Sequence, residues 1–137
     1  MVKQNRFAMV CQHLGNSWKL SEEIINSFEE YICHLYGKKS TSVNKVRFEK
    51  FQATYKVQNK IPDLSILPPC KQSLVLHLKR ANYIAKLWKS CLIPRIEFPD
   101  ITEHGWKSNG DVLWTTNEFP DSIVQLLAST ENVDFQD

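Results

Sequence analysis

Between Leu67 and Leu92, in LPPCKQSLVLHLKRANYIAKLWKSCL, apolar residues recur at helical spacing. At about 100° per residue, Leu74, Leu78, Ala81, Ala85, Trp88 and Leu92 fall on one stripe. A second stripe carries Leu76, Tyr83, Ile84 and Leu87. The remaining arc, with Lys71, Val75, Lys79, Asn82, Lys86 and Lys89, is mostly polar. A helix that is apolar on two sides is covered on two sides, so the pattern predicts a long central helix over about 68–92. Pro68 and Pro69 suit its first turn, where a missing N–H costs nothing. Pro94 ends it, because a proline pushes the preceding residue out of the α region.

Shorter patterns flank this segment. Residues 2–14 read as a helix with Val2, Phe7, Met9, Val10 and Leu14 available for burial, broken at Gly15-Asn16. Leu20-Ser21-Glu22-Glu23-Ile24-Ile25 is a helix start: Ser21 can cap free N–H groups and the two carboxylates favour the positive end of the dipole. That helix carries Ile24, Ile25, Phe28, Ile32 and Leu35 inward and stops at Gly37. A third helix is expected over about 43–55, capped by Thr41 or Ser42, with Val43, Val46, Phe51 and Tyr55 as buried positions. Residues 57–67 read as a loop with a turn at Pro62-Asp63.

Beyond Pro94 the helical period is lost. Asn109-Gly110-Asp111 is a hairpin turn signal, Val112 to Thr116 reads as a strand, and its partner begins near Lys107. A final helix over 120–128 would place Ile123, Val124 and Leu127 on one face. The expected fold is therefore mainly α, with four to five helices packed around the central helix and a small C-terminal β-hairpin. At 137 residues this is one domain with a core of useful size. It divides into N-terminal helices (1–66), the central helix (67–93) and an acidic hairpin plus short helix (94–137).

Charge adds one feature to this picture. The net +2 conceals ten Lys/Arg and six Asp/Glu in residues 1–66, six and none in residues 67–95, and one and nine in residues 96–137. Such polarity fits a basic nucleic-acid-binding face with an acidic tail, or a tail that pairs with its own basic helix. No run of about 18 apolar residues is present, and the N-terminus lacks the apolar stretch of a signal peptide. An intracellular location, nuclear or cytoplasmic and not secreted, is the expectation. Cys11, Cys33, Cys70 and Cys91 are then expected as free thiols.

Sites for chemistry are scarce. There is no GxGxxG, Walker lysine loop, GxSxG elbow or HExxH. Cys11 with His13, Cys33 with His34, and Cys70 with His77 are near pairs, but adjacent residues on a helix point about 100° apart and do not share an ion readily. The carboxylates Glu22, Glu23, Glu29, Glu30, Glu49 and Asp63 read as exposed charge rather than as a converging metal site. No catalytic residues, metal ligands or cofactor are assigned. Arg80 lies inside the second apolar stripe and needs a carboxylate or several carbonyls, since an unpaired buried charge is costly; a structural ion pair is expected. Basic residues interleaved with Phe48, Phe51 and Tyr55 could grip a nucleic-acid strand, although such aromatics are more often core.

The segments EEYICHLYG, SVNKVRFEKF and LPPCKQSLVLHLKRANYIAKLW, followed by HGW and FPDSIVQLL, resemble the C-terminal region of a multi-copy family of uncharacterised animal proteins. The resemblance runs from about Leu14 to Leu127. Its most specific parts are Pro68-Pro69-Cys70, Arg80-Ala81-Asn82-Tyr83 with Trp88, and His104-Gly105-Trp106. In longer members this region follows a segment resembling a PIN/flap-nuclease-like fold, and the copy number implies a mobile-element history. None of that segment's Gly-Cys-Asp-Thr motif is present here, so no nuclease residue carries over. The resemblance implies a non-catalytic accessory or interaction domain, serving a nuclease-like module or another protein. Its working surface would be the lysine stripe or an aromatic patch around Trp106 and Trp114. The alternative is a nucleic-acid-binding module using Lys71, Lys79, Lys86 and Lys89 of the central helix. An independent enzyme is the third reading, and no membrane association is expected.

Overall fold

Ser21 begins the best-signalled helix as the sequence predicts. Its Oγ accepts from the Ile24 N–H at 3.4 Å, with Glu22 and Glu23 in the first turn. The computed structural model describes residues 2–58, 63–110 and 112–115. Four α-helices are found there: α1 (Val2–Gln12), α2 (Glu22–Leu35), α3 (Val43–Gln58) and α4 (Lys71–Lys89). Single 3₁₀ turns, Leu64–Ile66 and Ile101–His104, precede α4 and the hairpin respectively. The hairpin pairs β1 (Trp106–Asn109) with β2 (Val112–Thr115) antiparallel, placing Asn109 opposite Val112. Gly110 between them has φ +65°, which glycine adopts without strain. The fold is mainly α with a small β element, as expected; the predicted helix over 120–128 lies outside the described residues.

The central helix is shorter than its apolar pattern. Cys70 is its extended N-cap residue, so Pro68 and Pro69 lie before the helix rather than in its first turn, and Ser90 closes the other end. Nineteen residues remain, about 28 Å at 1.5 Å per residue.

One core cluster joins Val10, Phe28, Cys33, Val43, Val46, Leu74 and Leu78, with Leu14, Leu20, Ile24, Ile25, Tyr31, Ile32 and Tyr36 packed against it. Only the first half of α4 enters that cluster. Further along, the buried face turns away from the expected stripe. Asn82, from the arc read as polar, is 1% exposed, whereas Trp88 is 75% and Leu92 91% exposed. Ala81 and Ile84 also face solvent. Expected core positions Met9, Leu35 and Tyr55 are exposed too, while Glu29 and Cys33 take buried places on α2. The physical reason is that, beyond Leu78, α4 is covered by loops that the Asn82 amide hydrogen-bonds and the Tyr83 ring packs against, on the side away from Trp88.

Side chains cap helix ends across the fold. Glu29 of α2, 3% exposed, accepts from the Val43 N–H at the start of α3 through Oε1. Its Oε2 lies 3.0 Å from Lys71 Nζ. Asn44 of α3 accepts from the Lys71 N–H at 2.9 Å and so caps α4, whose own N-cap Cys70 supplies no such bond. Lys89 of α4 donates to the Gln12 carbonyl at 3.2 Å, placing a cation at the negative end of α1. Each of these helices is thereby fixed by a residue from another one.

Candidate functional site

Arg80, Asn82 and Tyr83 of α4 hold two loops that carry the remaining candidate residues. Asn82 Oδ1 accepts from the Gly15 N–H at 2.8 Å, and its Nδ2 donates to the carbonyls of Ser17 and Trp18 at 2.8 and 3.0 Å. A buried amide this fully partnered offsets its own desolvation. Gly15 is required: its φ is +77°, and an added Cβ would stand 2.6 Å from the Ala85 carbonyl carbon. On the other side Arg80 Nη1 donates to the Gly105 carbonyl at 2.7 Å. Gly105, at φ +92°, has no space for a Cβ, which would meet the Leu76 carbonyl oxygen at 2.8 Å. Tyr83 stands between the two loops, with ring centroids 5.1 Å from Trp18, 4.9 Å from His104 and 5.6 Å from Trp106.

Arg80 is thus a loop anchor of a different kind from the expected ion pair. Among the described residues its partners are the Gly105 carbonyl and His77 Nδ1, 3.2 Å from Nη2, and no carboxylate pairs with it. Because guanidinium nitrogens only donate, His77 Nδ1 is the acceptor. A half-buried guanidinium can be satisfied by carbonyl and imidazole acceptors without a counter-charge.

The four lysines of the expected binding stripe do not present one free row. Lys71 is paired with buried Glu29. Lys86 Nζ reaches the Asn16 carbonyl at 3.5 Å, and Lys89 Nζ donates to the Gln12 carbonyl and to Asn16 Oδ1 at 2.8 Å. Lys79 alone of the four has no hydrogen bond or ion pair among the described residues. The interleaved aromatics of α3 are partly open: Phe48 and Tyr55 are exposed, Phe51 stacks on Tyr55 at 6.2 Å, and Phe48 and Phe51 line a groove with Leu64 and Leu67. Of the aromatic patch around Trp106 and Trp114, Trp106 is half-buried against Tyr83. The side chain of Trp114 lies outside the described residues.

A cleft of about 400 Å³ opens where α2, α4 and the two anchored loops meet. Trp18, Leu20 and Ile25 form its apolar walls, and Lys19, Lys79, Glu103 and His104 its polar ones. Lys19 and Glu103 make a loose, exposed pair at 3.7 Å. His104 is 3% exposed, and its Nε2 has no hydrogen-bond partner. Burial, with the neighbouring cations Lys79 and Lys19, pushes its pKa down, against the opposing pull of Glu103 and Asp100. The imidazole is therefore neutral at pH 7.

No protein-family model matches the chain, and neither a curated protein nor a solved structure matches it.

Other chemistry is sparse. All four cysteines are unpaired; Cys33 is fully buried and burial pushes its thiol pKa up, with Glu29 adding to the rise. Burial also raises the Cys70 thiol, but hydrogen bonding with Ser73 and the nearby Arg47 charge outweigh it and bring the pKa down. Among the described residues no three His, Cys, Asp or Glu side chains gather in a way that could hold a metal ion. No described helix is long and apolar enough to cross a membrane.

The cleft was not legible from spacing, because its walls come from four separate segments. The closest signal was the pair of motifs Arg80-Ala81-Asn82-Tyr83 and His104-Gly105-Trp106, which the fold brings into contact.

Proposed function

We propose that this chain is a non-catalytic protein-interaction domain, derived from a nuclease-like mobile-element protein, whose docking surface is the exposed apolar end of α4. The observation that carries the reading is the solvent-facing run Ala81, Ile84 and Trp88, continued by Leu92, Ile93 and Phe98. Beside it lies a groove of about 820 Å³ lined by Leu87, Ile93, Pro94, Arg95 and Phe98. A large exposed apolar patch costs solubility and marks interaction sites, and an exposed Trp is the residue type that most often anchors an interface.

The partner that fits is an amphipathic protein segment with an acidic edge. Residues 1–110 hold seventeen Lys/Arg against nine Asp/Glu, and Arg95 stands exposed in the lining of the groove. Opposite charges at the rim would steer encounter while the apolar stripe supplies affinity. Against the nucleic-acid alternative stands the internal use of Lys71, Lys86 and Lys89, whose ammonium groups would have to leave Glu29, Asn16 and Gln12 to reach phosphates.

The test is in-cell photo-crosslinking from a benzophenone side chain placed at Leu92, with Lys56 on α3 as the control position. Discrete protein adducts from position 92, absent in a Trp88→Glu background that still folds, are expected. Adducts removed by nuclease would transfer the reading to nucleic acid. Identical adducts with and without Trp88→Glu would overturn the docking surface.

A further inference from the structure

The cleft between Trp18 and Lys79 has no part in that docking surface. It is lined by Trp18 of the Gly15–Trp18 loop and His104 of the His104–Trp106 loop, and those loops are held by three hydrogen bonds at Asn82 and one from Arg80. Both loops rely on left-handed glycines that lie against α4 too closely for any side chain. Rigid walls lower the ordering cost of binding.

Its contents are chemically specific. Lys79 is half-buried and brings an ammonium group without a partner among the described residues. His104, which lines the same cleft, is 97% buried by the complement of its 3% exposure and has an unsatisfied Nε2. A buried unpaired imidazole nitrogen is a cost the fold carries unless something supplies a partner. Lys19 and Lys79 against Glu103 leave the lining with one positive charge in excess. Asp100, which also acts on His104, is already committed to the Thr102 N–H and hydroxyl at 2.9 Å each. Trp18, Leu20 and Ile25 supply the apolar part of the lining. A volume of about 400 Å³ is at the small end of organic-ligand sites.

We infer that this cleft is a binding site for a small organic monocarboxylate with an apolar or aromatic body. Its carboxylate accepts from Lys79 Nζ, with His104 as the second polar group, and its body lies against Trp18, Leu20 and Ile25. One negative charge neutralises the lining, and the aromatic wall excludes fully hydrated inorganic anions. The assignment concerns binding alone and involves no reaction.

Phenylacetate is a suitable probe, titrated into the full chain while the Trp18 indole and His104 ring nitrogens are followed by NMR. Binding is expected at roughly millimolar affinity, as befits so small a ligand, with both groups shifting on one isotherm. Phenethyl alcohol, the neutral analogue, and Lys79→Met should each weaken it about tenfold, the usual scale for losing a charge-assisted hydrogen bond. His104→Gln, compared in the same titration, should weaken it by less, since an amide N–H can replace the imidazole donor. Inorganic phosphate producing the same shifts would show a generic anion patch and overturn the assignment. So would equal binding of the alcohol, no effect of Lys79→Met in a variant with the parent's amide spectrum, or no binding of phenylacetate.

Discussion

The Gly15 N–H and the Asn82 side chain meet at 2.8 Å, joining residues 67 positions apart through a buried hydrogen bond. Asn82→Ala strands that donor and removes the partner of two further carbonyls. Leaving buried polar groups unpaired costs about 1–3 kcal/mol each, and the Ser17 and Trp18 carbonyls are only partly buried. A loss of roughly 3 kcal/mol is expected by urea denaturation. Asn82→Asp should be at least as damaging at neutral pH, because its carboxylate would face the Ser17 and Trp18 carbonyls with no proton to give.

Two left-handed glycines separate conformational strain from collision. Gly37 has φ +75° and open space around it, whereas Gly15 has φ +77° and the Ala85 backbone at 2.6 Å. Gly37→Ala should cost about 1 kcal/mol, the strain of a left-handed alanine. Gly15→Ala should cost several times more, because neither backbone can move without breaking the Asn82 bonds. Parallel chemical denaturation of the two variants checks the ordering.

Trp88→Ala is expected to shift the thermal midpoint by no more than a few degrees, since the indole is 75% exposed. Phe28→Ala, at a position only 5% exposed, should cost about 3–5 kcal/mol. A large loss at Trp88 would mean that the indole is covered.

Glu29 gives a contrast between charge and acceptor. Glu29→Gln keeps an oxygen for the Val43 N–H but loses the charge facing Lys71 at 3.0 Å. Lys71 is itself half-exposed, so the glutamine should cost only about 1 kcal/mol. Glu29→Ala also strands the first N–H of α3 and should cost about 2–3 kcal/mol. Denaturant midpoints at low and high salt distinguish the two, with the charge component alone shrinking as salt rises.

His104 predicts a pH dependence. Its folded pKa is lowered, so below its unfolded value of about 6.5 the unfolded chain takes up a proton that the native state refuses. Stability should be flat above that pH and fall as pH drops below it. Asp100, whose pKa is lowered by its bonds to Thr102, stays charged through that window. His104→Phe should flatten the slope between pH 7 and 5, measured by thermal melts, even if the variant is less stable overall.

Local signals in the sequence suffice where the physical cause is local. Ser21 with Glu22 and Glu23 starts a helix whatever surrounds it, Gly37 ends one, and Asn109-Gly110 turns a hairpin. The face of α4 was another matter. By periodicity Trp88 belongs inside and Asn82 outside, yet the Gly15–Trp18 loop offers one N–H and two carbonyls that only an amide can satisfy together. Partners so distant leave no trace in the spacing. The same holds for Lys71, Lys86 and Lys89, which look like a solvated stripe until Glu29, Asn16 and Gln12 are placed beside them. Arg80 needs a partner wherever it is covered, and here a carbonyl and an imidazole serve in place of a carboxylate.

The Asn82 anchor also bears on the order in which the chain acquires its structure. Helices α1, α2 and α3 use contacts close in sequence and can form early, whereas the amide must wait until about 65 intervening residues have closed into a loop. Closing that loop is an entropic cost met before any bond is gained. The Gly15–Trp18 segment should therefore be among the last parts to order, and damage to Asn82 should speed unfolding more than it slows folding. The lifetime of the native state would then rest on a single amide side chain.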